Sequence, residues 1–265
     1  MAQTTSPERS LPGREPWLVL NSCALYSRLL VGIERYDSPE LIREVLAGAD
    51  SELLIVTVGD RHTTLGLPLT AILGRLQDLN PTLVGTTCHA QSTGEAISVA
   101  RLLKDSLGVN LIKLDVRPDE YRSLPDNAAT IKAAEVLVRE GFDVMPMLTP
   151  DPVAAAEAEK VGCCALRLLA GPLRSGLGVT NLAMMLAVKA SVGVPCVGEG
   201  GVATASDAAL MVERGIDAVL VNSAITKAGS PALMVRAMSH AVTAGRLCYV
   251  AGRMPVEPWA DEFRH

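Results

Sequence analysis

Leu111-Ile112-Lys113-Leu114-Asp115-Val116 is an aliphatic run carrying two opposite charges two positions apart. A short apolar run of this kind reads as a buried strand. Side chains alternate across a strand, so Lys113 and Asp115 share one face and Ile112 and Leu114 take the other. Comparable runs recur near residues 29–32, 53–58, 82–86, 143–148, 165–169, 195–199 and 218–222. Helical patterns separate them, at 39–47, 92–107, 127–140, 151–161, 180–190, 206–214 and 231–244, with a weaker one within 67–77. Asp37-Ser38-Pro39-Glu40 and Ser206-Asp207 are start signals. Gly141, Gly162 and Gly215 close helices just before a strand begins.

Eight strands, each followed by a helix, predict an α/β fold: a single-domain (β/α)8 TIM barrel over 16–255. Residues 1–15 read as a flexible arm and 256–265 as a C-terminal tail. The segment 17–26 before the first strand suits a hairpin plugging the barrel bottom. The competing architecture is an open doubly wound sheet. The first strand lacks a Gly-x-Gly-x-x-Gly turn after it, which argues against a dinucleotide fold.

The composition suits one large aliphatic core. Of 265 residues, 49% are hydrophobic and only 3% aromatic, so branched and small side chains must fill the interior. A net charge of -5 leaves no basic footprint for nucleic acid. No apolar stretch is suited to span a membrane, and the polar start lacks the apolar centre of a secretory signal. Cys23, Cys88, Cys163, Cys164, Cys196 and Cys248 form no Cys-x-x-Cys pair, which points to reduced thiols and a cytoplasmic setting. The histidines show no ligand spacing with them, so no metal site is expected.

Function in such a barrel gathers where strands end. Burial of an ammonium is costly and favours the neutral amine, a nucleophile able to form an imine with a sugar carbonyl. Lys113 is therefore either that nucleophile or half of a structural ion pair with Asp115. The seventh strand ends at Glu199-Gly200-Gly201, and the eighth at Asn222-Ser223-Ala224. Loops in these two places commonly present backbone N–H groups to a phosphate, although a glycine turn with a capping acid needs no ligand. Arg174 and Gly176 lie in a long loop after the sixth strand, which either closes on substrate or is plain surface. His89, after the third strand, is a proton shuttle or a solvated loop residue.

Nearly the whole chain, 17–255, resembles the bacterial thiazole synthase family of thiamin biosynthesis. The resemblance rests on Ser27-Arg28-Leu29-Leu30-Val31-Gly32, Ile112-Lys113-Leu114-Asp115-Val116, Leu173-Arg174-Ser175-Gly176-Leu177-Gly178-Val179-Thr180-Asn181, 194–201, Val221-Asn222-Ser223-Ala224-Ile225 and the long segment 244–255. It implies an imine between Lys113 and a sugar phosphate, acid–base work at Asp115 and Glu199, and a homo-oligomer. It also implies sulfur delivered on the C-terminal thiocarboxylate of a small ubiquitin-like carrier protein, with no other cofactor. The family pattern has Glu where this chain has Asp115 and Asp where it has Glu199. Gly85-Thr86-Thr87-Cys88-His89, Arg167-Leu168 and the tail 256–265 also depart from it. These changes surround the mouth, and they fit a side branch that makes 2-thiosugars from a hexose 6-phosphate in antibiotic pathways.

The expected chemistry is a Lys113 imine that rearranges to place a ketone at C2, followed by attack of the thiocarboxylate. The alternatives are a thiazole synthase acting on deoxyxylulose 5-phosphate, a Schiff-base aldolase needing no carrier, and a non-catalytic barrel that only docks a partner.

Overall fold

The computed structural model describes residues 15–20, 23–32, 36, 38–57, 69–79, 81–119 and 121–254. Most of the N-terminal arm, the whole C-terminal tail and Val58 of the second predicted strand lie outside the described residues.

The fold is a single-domain (β/α)8 barrel. A two-stranded hairpin, β1 (Leu18–Val19) and β2 (Ala24–Leu25), precedes it. The barrel strands are β3 (Leu29–Val31), β4 (Leu53–Val56), β5 (Thr82–Thr86), β6 (Leu111–Leu114), β7 (Asp143–Leu148), β8 (Leu166–Leu169), β9 (Cys196–Glu199) and β10 (Ala218–Val221). All neighbours pair in parallel in the order β3-β10-β9-β8-β7-β6-β5-β4. A parallel bridge between Gly32 and Ile55 joins β3 to β4 and closes the ring.

The helices are α1 (Pro39–Ala49), α2 (Leu69–Arg75), α3 (Thr93–Leu107), α4 (Asn127–Arg139), α5 (Pro152–Val161), α6 (Leu182–Ser191), α7 (Ala205–Glu213), α8 (Ser223–Thr226) and α9 (Pro231–Ala251). The side chains of Ser38, Ser92, Asp126, Asp151 and Ser230 accept backbone N–H bonds at five helix starts. One end differs from the sequence expectation. α9 continues to Ala251, seven residues past the predicted stop at 244. Gly245 does not break it: a Cβ there would stand 2.7 Å from the Ala209 carbonyl oxygen on α7. Glycine is needed at that position for close helix contact rather than for termination.

Strand parity sorts the core into two layers. Ile112, Leu114, Val144, Leu166 and Leu168 face outward into the layer between sheet and helices. Leu30, Leu53, Ile55, Val84, Leu111, Met145, Ala165, Val197 and Leu220 face inward and fill the barrel, together with Trp17, Leu18 and Leu25 of the hairpin. The hairpin thus plugs the interior, as 17–26 predicted. Parity then carries the chemistry: Lys113 stands one inward step above Leu111, Arg167 one above Ala165, and Glu199 one above Val197.

Candidate active site

Above the aliphatic plug lies a quartet of buried charges. Lys113 is 5% exposed, Asp115 and Arg167 are fully buried, and Glu199 is 7% exposed. Lys113 Nζ stands 3.3 Å from Asp115 Oδ2 and 3.1 Å from Glu199 Oε1. Arg167 holds the opposite oxygens: Nη2 donates to Asp115 Oδ1 at 2.7 Å and Nε donates to Glu199 Oε2 at 2.8 Å. Its Nη1 donates to the carbonyls of Leu114 and Met145 at 3.3 and 3.1 Å. Each carboxylate therefore offers one oxygen to the guanidinium and the other to the lysine. Two cations face two anions, which satisfies the requirement that buried charges be paired and hydrogen-bonded.

The electrostatics follow from this pairing. Burial alone would raise the Asp115 pKa; the charges of Arg167, Lys113 and Arg117 outweigh it and hold the carboxyl well below the usual carboxylate range. Glu199 behaves alike: burial pushes it up, and Arg167 and Lys113 bring it below its ordinary value. Both acids are ionised at neutral pH. Burial disfavours the Arg167 charge, but the two carboxylates reverse that and raise its pKa.

Asp115 sits just past the end of β6, and its position is fixed by Thr87. The Thr87 hydroxyl accepts from the Asp115 N–H and donates to the Asp115 carbonyl, both at 2.8 Å. The loop after β5, where the sequence departs from its family pattern, thus anchors the acid.

A cavity of about 1060 Å³ opens above the quartet. Lys113 and Glu199 line it, as do Gly200, Gly201, Asn222, Ser223, Ala224, Arg174 and Gly176. Every predicted site residue except Asp115 is on its wall. Asp115 lies behind Lys113, sealed from the cavity. His89 and Cys88 also line it.

Gly200 and Gly201 have a structural requirement of their own. Both adopt positive φ, 86° and 76°, where a side chain is strained. A Cβ on Gly201 would meet the Gly178 carbonyl oxygen at 2.3 Å, and one on Gly200 the Gly171 carbonyl oxygen at 2.6 Å. These glycines let the loops after β8 and β9 touch backbone to backbone, fastened by the Gly178 N–H donating to Gly201 at 2.8 Å.

The sequence reading passed over Arg167 as a site residue, along with Arg117, Ser123 and Lys227. Arg117, Ser123 and Lys227 line the cavity. Arg167 was visible by the same signal as Lys113: Leu166-Arg167-Leu168-Leu169 sets a charge inside an aliphatic strand, at inward parity. Three of the cysteines, Cys163, Cys164 and Cys196, are held as thiols rather than thiolates. Burial pushes the Cys163 and Cys196 thiols up to about 12 and raises that of Cys164 as well. All six cysteines are free thiols. Among the described residues no cluster of His, Cys, Asp and Glu is arranged to hold a metal ion. No described helix is long and apolar enough to cross a membrane.

A closed ring of eight parallel strands, with a buried lysine between two acids beneath a cavity of about 1060 Å³, defines a (β/α)8 barrel with a charged pocket. Comparison with known proteins gives the family. The family model described as thiazole biosynthesis protein ThiG matches residues 19–262. Thiazole synthase of Ectopseudomonas mendocina is 41% identical over 238 residues, covering 89% of each chain. Thiazole synthase of Geobacter sulfurreducens is 38% identical over 244 residues, covering 92% of this chain and 93% of its own. The Amycolatopsis orientalis BexX/CysO complex contains a chain with 42% identity and a TM-score of 0.87, covering 92% of this chain and 99% of that one. The 3-hexulose-6-phosphate synthase of Salmonella typhimurium, at 20% identity and a TM-score of 0.54, shares the fold. This chain belongs to the thiazole synthase family and is a sulfur-transfer enzyme of that family.

Proposed function

We propose that the protein is a 2-thiosugar synthase, joining a hexose 6-phosphate through an imine on Lys113 to sulfur carried as a protein thiocarboxylate. The observation that carries this reading is the Lys113 amine, aimed into the cavity between two carboxylates whose far oxygens Arg167 holds. The substrate phosphate sits against the loops of Gly200-Gly201 and Asn222-Ser223-Ala224, with Lys227 beside them. Its carbonyl end reaches across the barrel to Lys113.

Attack needs the lysine free of its proton. Glu199 Oε1, at 3.1 Å, is the nearer acceptor and Asp115 Oδ2, at 3.3 Å, the second. Transfer within the quartet leaves its net charge unchanged, so no uncompensated buried charge arises. Loss of water from the carbinolamine gives an iminium that restores the positive charge at the Lys113 position. Glu199, on the cavity wall, then takes the C2 proton and returns one to C1 of the enaminol, moving the carbonyl from C1 to C2, while Asp115 exchanges protons with Lys113 from behind. The thiocarboxylate sulfur adds to the C2 carbonyl, and hydrolysis of the thioester releases the carrier and leaves a thiohemiketal at C2. Loss of water gives the C2 thione, a proton shift from C1 to C2 through the enaminethiol re-forms the C1 imine beside a C2 thiol, and hydrolysis of that imine frees the thiosugar from Lys113.

Support for the carrier comes from the Amycolatopsis relative, solved in complex with a second protein, CysO; we assign a protein of that kind the carrier's place. Support for the hexose comes from Cys88 and His89 on the cavity wall and from Thr87 and Arg167 buried beneath it, which depart from the family pattern. The second reading is a thiazole synthase acting on deoxyxylulose 5-phosphate, favoured by the curated relatives of that name at 38–41% identity. Borohydride trapping separates the two. Incubation with glucose 6-phosphate and reductant is expected to add one reduced hexose phosphate to the intact mass. Deoxyxylulose 5-phosphate trapped in its place favours the thiazole reading, and trapping of neither overturns both.

A further inference from the structure

Among the described residues, every strand of the ring, or the loop after it, contributes to the cavity wall except β7. The reason is local. Only Thr149, Pro150 and Asp151 join β7 to α5, and they are tied outward. Thr149 exchanges two backbone hydrogen bonds with the Asn127 side chain at the start of α4, at 2.9 and 3.0 Å. Asp151 caps α5, accepting from the Val153 N–H at 2.9 Å. A loop so short and so held does not reach the mouth.

A side-chain bridge closes that sector instead. Arg174, from the loop after β8, donates from Nη2 to Ser123 Oγ, from the loop after β6, at 2.8 Å, and both residues line the cavity. β6 and β8 are the two neighbours of β7, so the bridge spans the gap that β7 leaves. Its ends differ. Ser123 is a fixed post: it is buried, its N–H donates to the Asp119 carbonyl at 2.8 Å, and the Asp119 carboxylate accepts from the N–H groups of Tyr121 and Arg122. Arg174 lies in an exposed stretch of loop. That loop is fastened at Gly178, whose N–H donates to Gly201. Gly176, between the two, has positive φ and room around it: the nearest atom to an added Cβ is 3.7 Å away. Both bridged residues hold left-handed backbone, at φ 54° and 65°; the third such non-glycine residue among those described, Asp50, ends α1. Backbone strain of this kind persists only where the surroundings hold it, and it gathers at clamps and switches.

We propose that Arg174 and Ser123 form a gate over Lys113. Closed, the bridge stands in for the absent β7 wall and keeps water from the imine. Released, the loop after β8 turns about Gly176 and admits the sugar phosphate to its phosphate pole, the loops after β9 and β10. The proposal rests on Lys113 being the reacting amine, and it adds how that amine is reached.

The test uses the full chain with Arg174→Gly, Ser123→Gly and both together. Glycine accepts left-handed φ without strain, so these changes remove the bridge and keep the turn. A pulse of acetic anhydride without sugar, read by peptide mass spectrometry, gives the acetylation rate of Lys113 relative to exposed Lys132 on α4. The expected result is a rate at least fivefold above wild type in either single variant and no further rise in the double, because the two residues act as one bridge. Melting temperatures are expected to equal or exceed that of the wild type. Ser123→Gly leaves the charge unchanged, so an effect confined to Arg174→Gly is electrostatic and overturns the gate. Unchanged rates in both single variants, rates that multiply in the double, or faster labelling with melting lowered by several degrees overturn it equally. Borohydride trapping with glucose 6-phosphate on the same proteins separates the two readings: the expected labelling pattern with no trapped sugar refutes the imine and leaves the gate standing, and trapped sugar with unchanged labelling refutes the gate alone.

Discussion

Replacing Arg167 by Met keeps roughly the same volume and removes only the guanidinium. In the wild type this group donates to Asp115, Glu199 and two carbonyls while fully buried. Without it, two buried carboxylates share one lysine. Removing one partner from a buried ionic network costs about 3–5 kcal/mol. At about 2–4 °C per kcal/mol for a domain of this size, the melting temperature should fall by roughly 10 °C at pH 7.5. The pH dependence identifies the cause. In the wild type both acids have depressed pKa values, so their contribution is full above the ordinary carboxylate range and is lost as pH falls below it. In Arg167→Met the burial cost dominates and a carboxyl takes up a proton, so its folded pKa rises above the unfolded one. That contribution is present at low pH and is lost as pH rises. The gap in melting temperature between the two proteins should therefore be widest near neutrality and shrink toward pH about 4. Calorimetric scans across this range measure it. A gap under about 2 °C that does not change with pH would refute the assignment of Arg167 as the counter-charge of the quartet.

Three further outcomes follow from the geometry. Gly201→Ala places a Cβ 2.3 Å from the Gly178 carbonyl oxygen at a φ of 76°; chemical denaturation should show a loss of about 2 kcal/mol or more, and an unchanged midpoint would mean the two loops can part freely. Iodoacetamide at pH 8 should modify exposed Cys248 and spare Cys163 and Cys196, whose thiols burial raises to about 12; peptide mass spectrometry reads the pattern, and rapid alkylation of Cys196 in the native protein would contradict it. Gly245→Leu drives a side chain into the α7 backbone, where even a Cβ would be 2.7 Å from the Ala209 carbonyl oxygen; melting should drop by several degrees, and an unaltered melt would show that α7 and α9 are not in fixed contact.

Much of this site was legible because strand parity is strict. Once 111–116 is a strand, Lys113 and Asp115 must share a face, and the same step places Glu199 inward from Val197. The plug at 17–26 was read from the segment's place before the first strand, and the hairpin does fill the barrel interior. Arg167 obeyed the same rule but was noticed only as a departure from a family pattern, so its parity went unused. The end of α9 was placed too early for a different reason: the contact with α7 that requires glycine at 245 joins residues some thirty-six apart in the chain. The pairing of Ser123 with Arg174 links two loops across β7 and leaves no local trace; a non-glycine residue at positive φ carries no reliable sequence mark. The glycines after β9 were read as room for a ligand; they line the cavity, and their second requirement, the close backbone of the neighbouring loop, is one that only the folded loops reveal.

The account depends on which amine meets the sugar. Two lysines line the cavity, Lys113 within the quartet and Lys227 at the phosphate pole. Borohydride reduction in the presence of glucose 6-phosphate, followed by proteolysis and tandem mass spectrometry, locates the bond. The modification is predicted on the peptide containing Lys113, absent in Lys113→Ala although that variant folds; modification at Lys227, or a trapped sugar surviving in Lys113→Ala, would contradict it.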